Sequence, residues 1–311
     1  MPAGVQGCYV PVAVDIGGVV SNITTIAVSA TGDTCSDSIL GQDLISKLAG
    51  GGNVNFGYVR LENTVLGYAG SAFSDDAYAT FSAYTPQTAG MAVYGVSSGY
   101  CVTATNNGFA DLADLSPRQL DAGASLALQG LGNVSLSSIY GGYYYGYLST
   151  NGRYLWSERN YTVSGTGGAQ VGAFSATDNT SDPSVQFSNI SGTQSIPLSS
   201  DLTVKWNGGN AKMQNGLVTI GASSTPSPDA PYQQTVVLQC TAPLSAGSFT
   251  IPKWVLSTLP PSGTGQNPYI TYPLGWIWIG QYNNPVTFQA QGLDRGILSD
   301  VFFNGAGVYF K

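Results

Sequence analysis

Few side chains in this sequence have the spacing of a reaction centre. Gly95-Val96-Ser97-Ser98-Gly99 repeats the glycine–serine–glycine spacing of a nucleophile elbow, which lifts a serine hydroxyl toward a base. The usual base is missing, because the chain contains no histidine. That absence also removes imidazole metal ligands and a proton switch near neutral pH. Lys47, Lys205, Lys212, Lys253 and Lys311 stand in no serine–lysine motif, so Gly95–Gly99 reads as a turn. Paired carboxylates can run glycoside hydrolysis without histidine. Here the two glutamates, Glu62 and Glu158, sit in no recognisable motif, and Asp75-Asp76 reads as a turn. A glycoside hydrolase is therefore the remote reading, and no enzymatic activity is expected. Gly165-Thr166-Gly167-Gly168 lacks the third glycine of a dinucleotide loop and reads as a hairpin turn. Asp178, Asn179 and Asp182 are weak calcium candidates through their hard oxygens, although their spacing is not that of an EF-hand. A polar interdomain linker is the plainer reading of them. No cofactor is expected.

Composition narrows the class further. Only 9% of the 311 residues are charged, against about 25% in a typical soluble domain. A net charge of −7 with ten basic residues argues against nucleic acid or an anionic membrane as partner. Disorder is excluded by a hydrophobic share of 43%. Ser, Thr, Asn, Gln and Tyr replace the missing charge, which is the look of a secreted β protein. No run approaches the length of a membrane helix, so no membrane insertion is expected. Met1-Pro2-Ala3-Gly4 lacks the basic start and apolar core of a secretion signal, so secretion would imply a processed chain. Cys8, Cys35, Cys101 and Cys240 form an even set without a C-x-x-C pair. They predict two disulfides, an oxidising compartment and an extracellular or cell-surface location, with three connectivities open.

The elements follow from turn chemistry and periodicity. Residues 1–36 read as strand, turn, strand, with Gly17-Gly18 at the turn. One short helix is predicted near residues 38–49, ended by Gly50-Gly51-Gly52. Beyond it, short strands at close, regular spacing predict sandwiches, among them 54–62, 65–73 and 78–84. A boundary near 177–182 divides a first β-rich domain, 37–180, from a second sandwich, 181–311. Two aromatic features stand out. Trp276 and Trp278 alternate onto one face and read as sandwich core. The run Tyr140, Tyr143, Tyr144, Tyr145 and Tyr147 offers flat, amphipathic contact area for a sugar ring or a protein.

Pro2-Ala3-Gly4, Cys8-Tyr9-Val10-Pro11-Val12, Gly17 to Asn22 and Cys35-Ser36-Asp37 resemble the end of an immunoglobulin-like TIG-type domain of large acidobacterial secreted proteins. Leu120 to Gly123, Gln170 to Phe174, Leu202 to Trp206, Cys240 to Ala242, Gly247 to Pro252 and Gly292 to Asp294 resemble the uncharacterised region that follows it. The resemblance implies an extracellular β-sandwich protein, the pairing Cys8–Cys35 and Cys101–Cys240, and no catalytic residues. The first strands of that immunoglobulin-like domain are absent from this chain. Its remaining strands need a sheet to join, in the same chain or in a neighbour.

The resulting expectation is an all-β fold of stacked immunoglobulin-like antiparallel sandwiches. The expected function is non-enzymatic: an extracellular structural or adhesive protein, a self-assembling filament subunit whose partners are other copies of itself. Val10, Val12, Val14, Ile16, Val20, Ile23, Ile26 and Val28 would be its assembly strands. The alternative is a carbohydrate-binding module that holds surface glycans on its tyrosines.

Overall fold

The computed structural model describes residues 7–17, 19–21, 23–29, 41–68, 70–89, 98–105, 117–130, 132–149, 155, 159–180, 185–229, 235–266 and 268–311. Among them the fold is all-β, with short helices at Gly41–Ala49, Pro86–Ala89 and Lys253–Leu256. The first helix begins within the span predicted for it and stops before the glycine run. Its Leu44 packs on Val54, Phe56 and Ile297. Asp43 and Lys47 tie it to Arg295 and Asp294.

Two strands of 15 residues, Val54–Tyr68 and Gly70–Tyr84, form the central hairpin. Their register runs without a break from Val54↔Tyr84 to Tyr68↔Gly70. The turns predicted around residues 63–64 and 74–77 are therefore absent. Asn63 and Asp75 lie opposite each other in the ladder, and the Asn63 amide donates to the Asp75 carboxylate. Polar residues that read as turn formers instead satisfy one another inside the sheet.

The C-terminal strand, Arg295–Phe310, runs parallel to Val54–Tyr68 from Arg295↔Phe56 to Ala306↔Gly67. Antiparallel strands extend from this centre on both sides. One arm continues from the hairpin through Tyr143–Ser149, Asn133–Tyr140, Ser125–Gln129 and Arg159–Gly165 to Phe174–Thr180. The other continues from the C-terminal strand through Gly275–Tyr282, Leu217–Ser224 and Val236–Pro243 to Tyr100–Thr105. The main sheet thus runs across the boundary expected near residues 177–182.

Each arm encloses its own core against the shared central strands. Along the first arm the inward residues Leu126, Leu128, Leu136, Val163 and Ala176 pack on Leu61, Phe81 and Leu298. Strand Phe174–Thr180 curls back so that Phe174 stacks on Phe288, with ring centroids 4.8 Å apart. Along the second arm, Ile220, Leu238, Ile277, Ile279 and Val308 pack on Val204, Ile251 and Leu256. Ile277 and Ile279, rather than the tryptophans, point into that core. Trp276 and Trp278 lie on the opposite side of the strand, half-buried. The two indoles share one face, as their alternation predicts, but the aliphatic set claims the interior and leaves them on the outer one.

Many glycines sit inside strands opposite aromatic rings. Gly57↔Phe81, Gly165↔Phe174, Gly221↔Trp278, Gly265↔Tyr272, Gly280↔Phe303 and Gly296↔Phe288 are all in-register cross-strand pairs. In each, a Cβ on the glycine would come within 2.0–3.0 Å of the partner ring. The rings lie over bare backbone, which restores the packing that glycine lacks in a strand.

Candidate functional site

The tyrosine run forms two strands of one hairpin, Asn133–Tyr140 and Tyr143–Ser149, with Gly142 in the left-handed conformation at the turn. Strand alternation then sorts the rings. Tyr143, Tyr145 and Tyr147 face outward, while Tyr144 is fully buried. Tyr144 must therefore be removed from the expected contact surface. Its hydroxyl accepts from the Ala122 amide at 3.0 Å and donates to the Gly123 carbonyl at 2.8 Å, and its ring meets Phe81 edge-on. Tyr144→Phe is expected to destabilise the fold by roughly 1–3 kcal/mol, because two buried backbone groups lose their partner. Urea unfolding of the variant measures this.

The outward tyrosines form a graded surface. Tyr140 is 63% exposed and Tyr147 50%. Tyr140 stacks on half-buried Tyr143 with centroids 5.2 Å apart and planes within 10°. Tyr145 donates its hydroxyl to Asp76, which also accepts from Ser74. Burial and then the Asp76 carboxylate push the Tyr145 hydroxyl well above its ordinary range.

The neighbouring strands carry a group that sequence reasoning missed. Arg60 lies at 5.3 Å from the Tyr78 ring, 5.8 Å from Tyr282 and 5.0 Å from Phe303, and pairs with Glu62 at 2.8 Å. Those rings come from three other strands, so one guanidinium binds four adjacent strands together. Burial opposes its charge, but Tyr282 and Glu62 outweigh that and hold it protonated. Burial pushes the Tyr58 hydroxyl up to about 12. The alternation Tyr58-Arg60-Glu62 was the available signal, yet the partners Tyr282 and Phe303 are more than 200 residues away in sequence.

Behind this face lies a buried acidic cluster. Asp75, Asp178 and Asp300 are each at most 5% exposed. Asp178 lies on the curled-back strand and accepts from the Asn283 side-chain amide, while the Asn283 backbone amide donates to the Asp300 carbonyl at 2.7 Å. Burial raises both the Asp178 and Asp300 carboxyls, and for Asp300 the charges of Asp178 and Asp75 add to it. Asn179, the neighbour of Asp178, faces the other way and donates to Asn160 at 3.0 Å. The two calcium candidates thus sit on opposite faces of one strand, and Asp182 falls outside the described residues. Among the described residues no group of three or more Cys, Asp or Glu is placed to hold a metal ion.

Cys101 and Cys240 form a disulfide between directly opposed residues of the last two strands of the second arm. The side chain of Cys8, and Cys35 entirely, fall outside the described residues, as does Ser97. Glu62 serves the Arg60 cluster, and Glu158 also lies outside the described residues.

The N-terminal strands pair within the chain. Gly7–Val12 and Thr24–Val28 form a two-stranded sheet, joined by the small pair Asp15–Ile16 and Val19–Val20. Val10 and Ile23 are buried, and Val28 is half-buried. Ile23 accepts from the Thr103 amide at 3.3 Å, and its own amide donates to the Thr103 hydroxyl at 3.1 Å. Val12, Val14, Ile16 and Ile26 are exposed, Ile16 to 76%. The side chain of Val20 lies outside the described residues.

These features define an all-β protein with an aromatic outward face and a disulfide at one sheet edge. No family model matches the chain, and no curated protein matches it. Among solved structures it is similar to the Fcho1 Mu homology domain of Danio rerio with bound Eps15 peptide, at 8% identity and a TM-score of 0.20, covering 82% of this chain and 96% of that one. A likeness at that score carries no argument about fold or function.

Proposed function

We propose that this chain is a non-enzymatic extracellular structural or adhesive protein that assembles with copies of itself through its N-terminal hairpin. The observation that carries this reading is how the hairpin attaches. It reaches the body through Val10, Ile23 and the Thr103 bonds on Tyr100–Thr105, the last strand of the sheet, and leaves Val12, Val14, Ile16 and Ile26 in solvent. Every bond made in this way within a chain can be made to the same strand of a neighbour, and head-to-tail repetition of that exchange builds an open filament. The disulfide favours an oxidising, extracellular setting. No helix among the described residues is long and apolar enough to cross a membrane.

A cysteine pair placed by Ile23→Cys and Thr103→Cys tests the exchange directly. Air oxidation followed by non-reducing electrophoresis is expected to give a ladder of covalent multimers, and deletion of residues 1–30 to abolish fibres in negative-stain microscopy. A single monomeric band, with fibres unchanged by the deletion, would overturn the reading.

A further inference from the structure

We infer that the outward face of the first arm is a binding surface for an uncharged polysaccharide, a site separate from the N-terminal hairpin. The face is built in register. Thr177, Thr162, Gln129 and Asn133 lie opposite one another across four strands, as do Ser175, Ser164, Ala127 and Ser135 one step along. A third row continues from Ser125 through Ser137, Tyr145 and Tyr78 to Arg60. With strands about 4.8 Å apart, the five outer strands span about 19 Å.

The chemistry of this face selects its ligand. Among the described residues, the members of these three rows on the five outer strands are hydroxyls, amides, one tyrosine and one alanine, none of them charged, and exposed Ile139 lies beside the hairpin turn at one end. Asp76, on the adjoining strand, accepts from Tyr145 and Ser74, and Arg60, at the end of the third row, is held by Glu62 and three rings. Among the described side chains of these rows an anionic polymer would meet no free cation, and the net charge of −7 would repel it.

A hydroxyl-rich neutral polymer matches it at each point. Tyr140 and Tyr147 present open ring faces for the C–H side of a sugar ring. Thr162 and Thr177 already share a 2.8 Å hydroxyl contact, so the array is ordered before a ligand arrives. A protein interface of this size would carry an apolar centre, and the serine and threonine rows provide none.

Depletion of the full chain from solution by cellulose and chitin particles, with alginate beads as the charged control, tests the assignment. The expected result is binding to at least one neutral particle that persists in high salt. Tyr140→Ala and Tyr147→Ala should each weaken it at least about fivefold, with unchanged melting, since both side chains are exposed. Four results would overturn it: no depletion by either neutral polymer, binding untouched by both substitutions, alginate binding abolished by salt, or tyrosine variants that change the size of assemblies instead. Because the described hairpin strands Gly7–Val12 and Thr24–Val28 pack on Tyr100–Thr105, at the opposite end of the sheet, deletion of residues 1–30 separates loss of assembly from loss of glycan binding.

Discussion

Replacing Cys101 and Cys240 with alanine is expected to destabilise the protein by about 5 kcal/mol, the largest single effect we foresee. The bond closes a loop with a sequence separation of 139 residues. On the chain-entropy model a loop of that size removes about 5 kcal/mol of unfolded-state freedom. The location adds to the effect. Tyr100–Thr105 is the last strand of its arm and is hydrogen-bonded to Val236–Pro243 as its ladder partner. Both sulfurs belong to the second core, where Cys240 is fully buried. Without the bond, the end strand and the Ile23 contact on it should open together. Denaturant unfolding of the double variant measures the global loss. Hydrogen exchange at Val102 and Thr103 measures the local one, and protection equal to wild type there would refute the coupling of edge and hairpin.

The second large effect is a loss of stability with rising pH, centred on Asp300. Burial raises this carboxyl well above the ordinary range of an aspartate, and the charges of Asp178 and Asp75 push the same way. The folded chain therefore holds a proton that the unfolded chain has released. By linkage this contribution is complete below about pH 4, the ordinary range of an unfolded aspartate, and drains as pH climbs toward the folded value. The Asp178 carboxyl, also raised by burial, acts in the same direction. Asp300→Asn copies the protonated shape without the titration. It should flatten the pH profile of the urea midpoint and, above neutral pH, leave the variant more stable than wild type by on the order of 1 kcal/mol or more. A variant less stable than wild type at every pH would show that Asp300 is a needed anion.

How much of this was legible in the sequence depended on range. The all-β class and the helix before Gly50-Gly51-Gly52 follow from local turn chemistry, and both are present. The long hairpin was misread because Asn63, Asp75 and Asp76 carry the signature of turns. Nothing local reveals that Asn63 and Asp75 neutralise each other's cost across the ladder. Tyr144 was misassigned for a different reason. In Tyr143-Tyr144-Tyr145 every position has the same side chain, so hydrophobic alternation carries no parity. The hydroxyl partners at Ala122 and Gly123 fix it, and they lie more than 20 residues upstream. The Arg60 cluster and the acidic cluster both depend on the parallel pairing of Val54–Tyr68 with Arg295–Phe310, a contact across most of the chain. No periodicity reports such a pairing.

The glycine–aromatic pairs carry one more consequence. A sheet with few charges has little to stop its strands from sliding past one another, because serine, threonine and tyrosine rows look alike after a shift of two residues. A ring seated over bare backbone does not tolerate that shift. At Gly221 a Cβ would meet the Trp278 ring at 2.0 Å, so any residue other than glycine arriving there collides. The six pairs therefore work as keys, each admitting one alignment of its two strands. While the ring keeps its place the glycine cannot take a side chain, so each aromatic residue in these pairs holds its partner position to glycine.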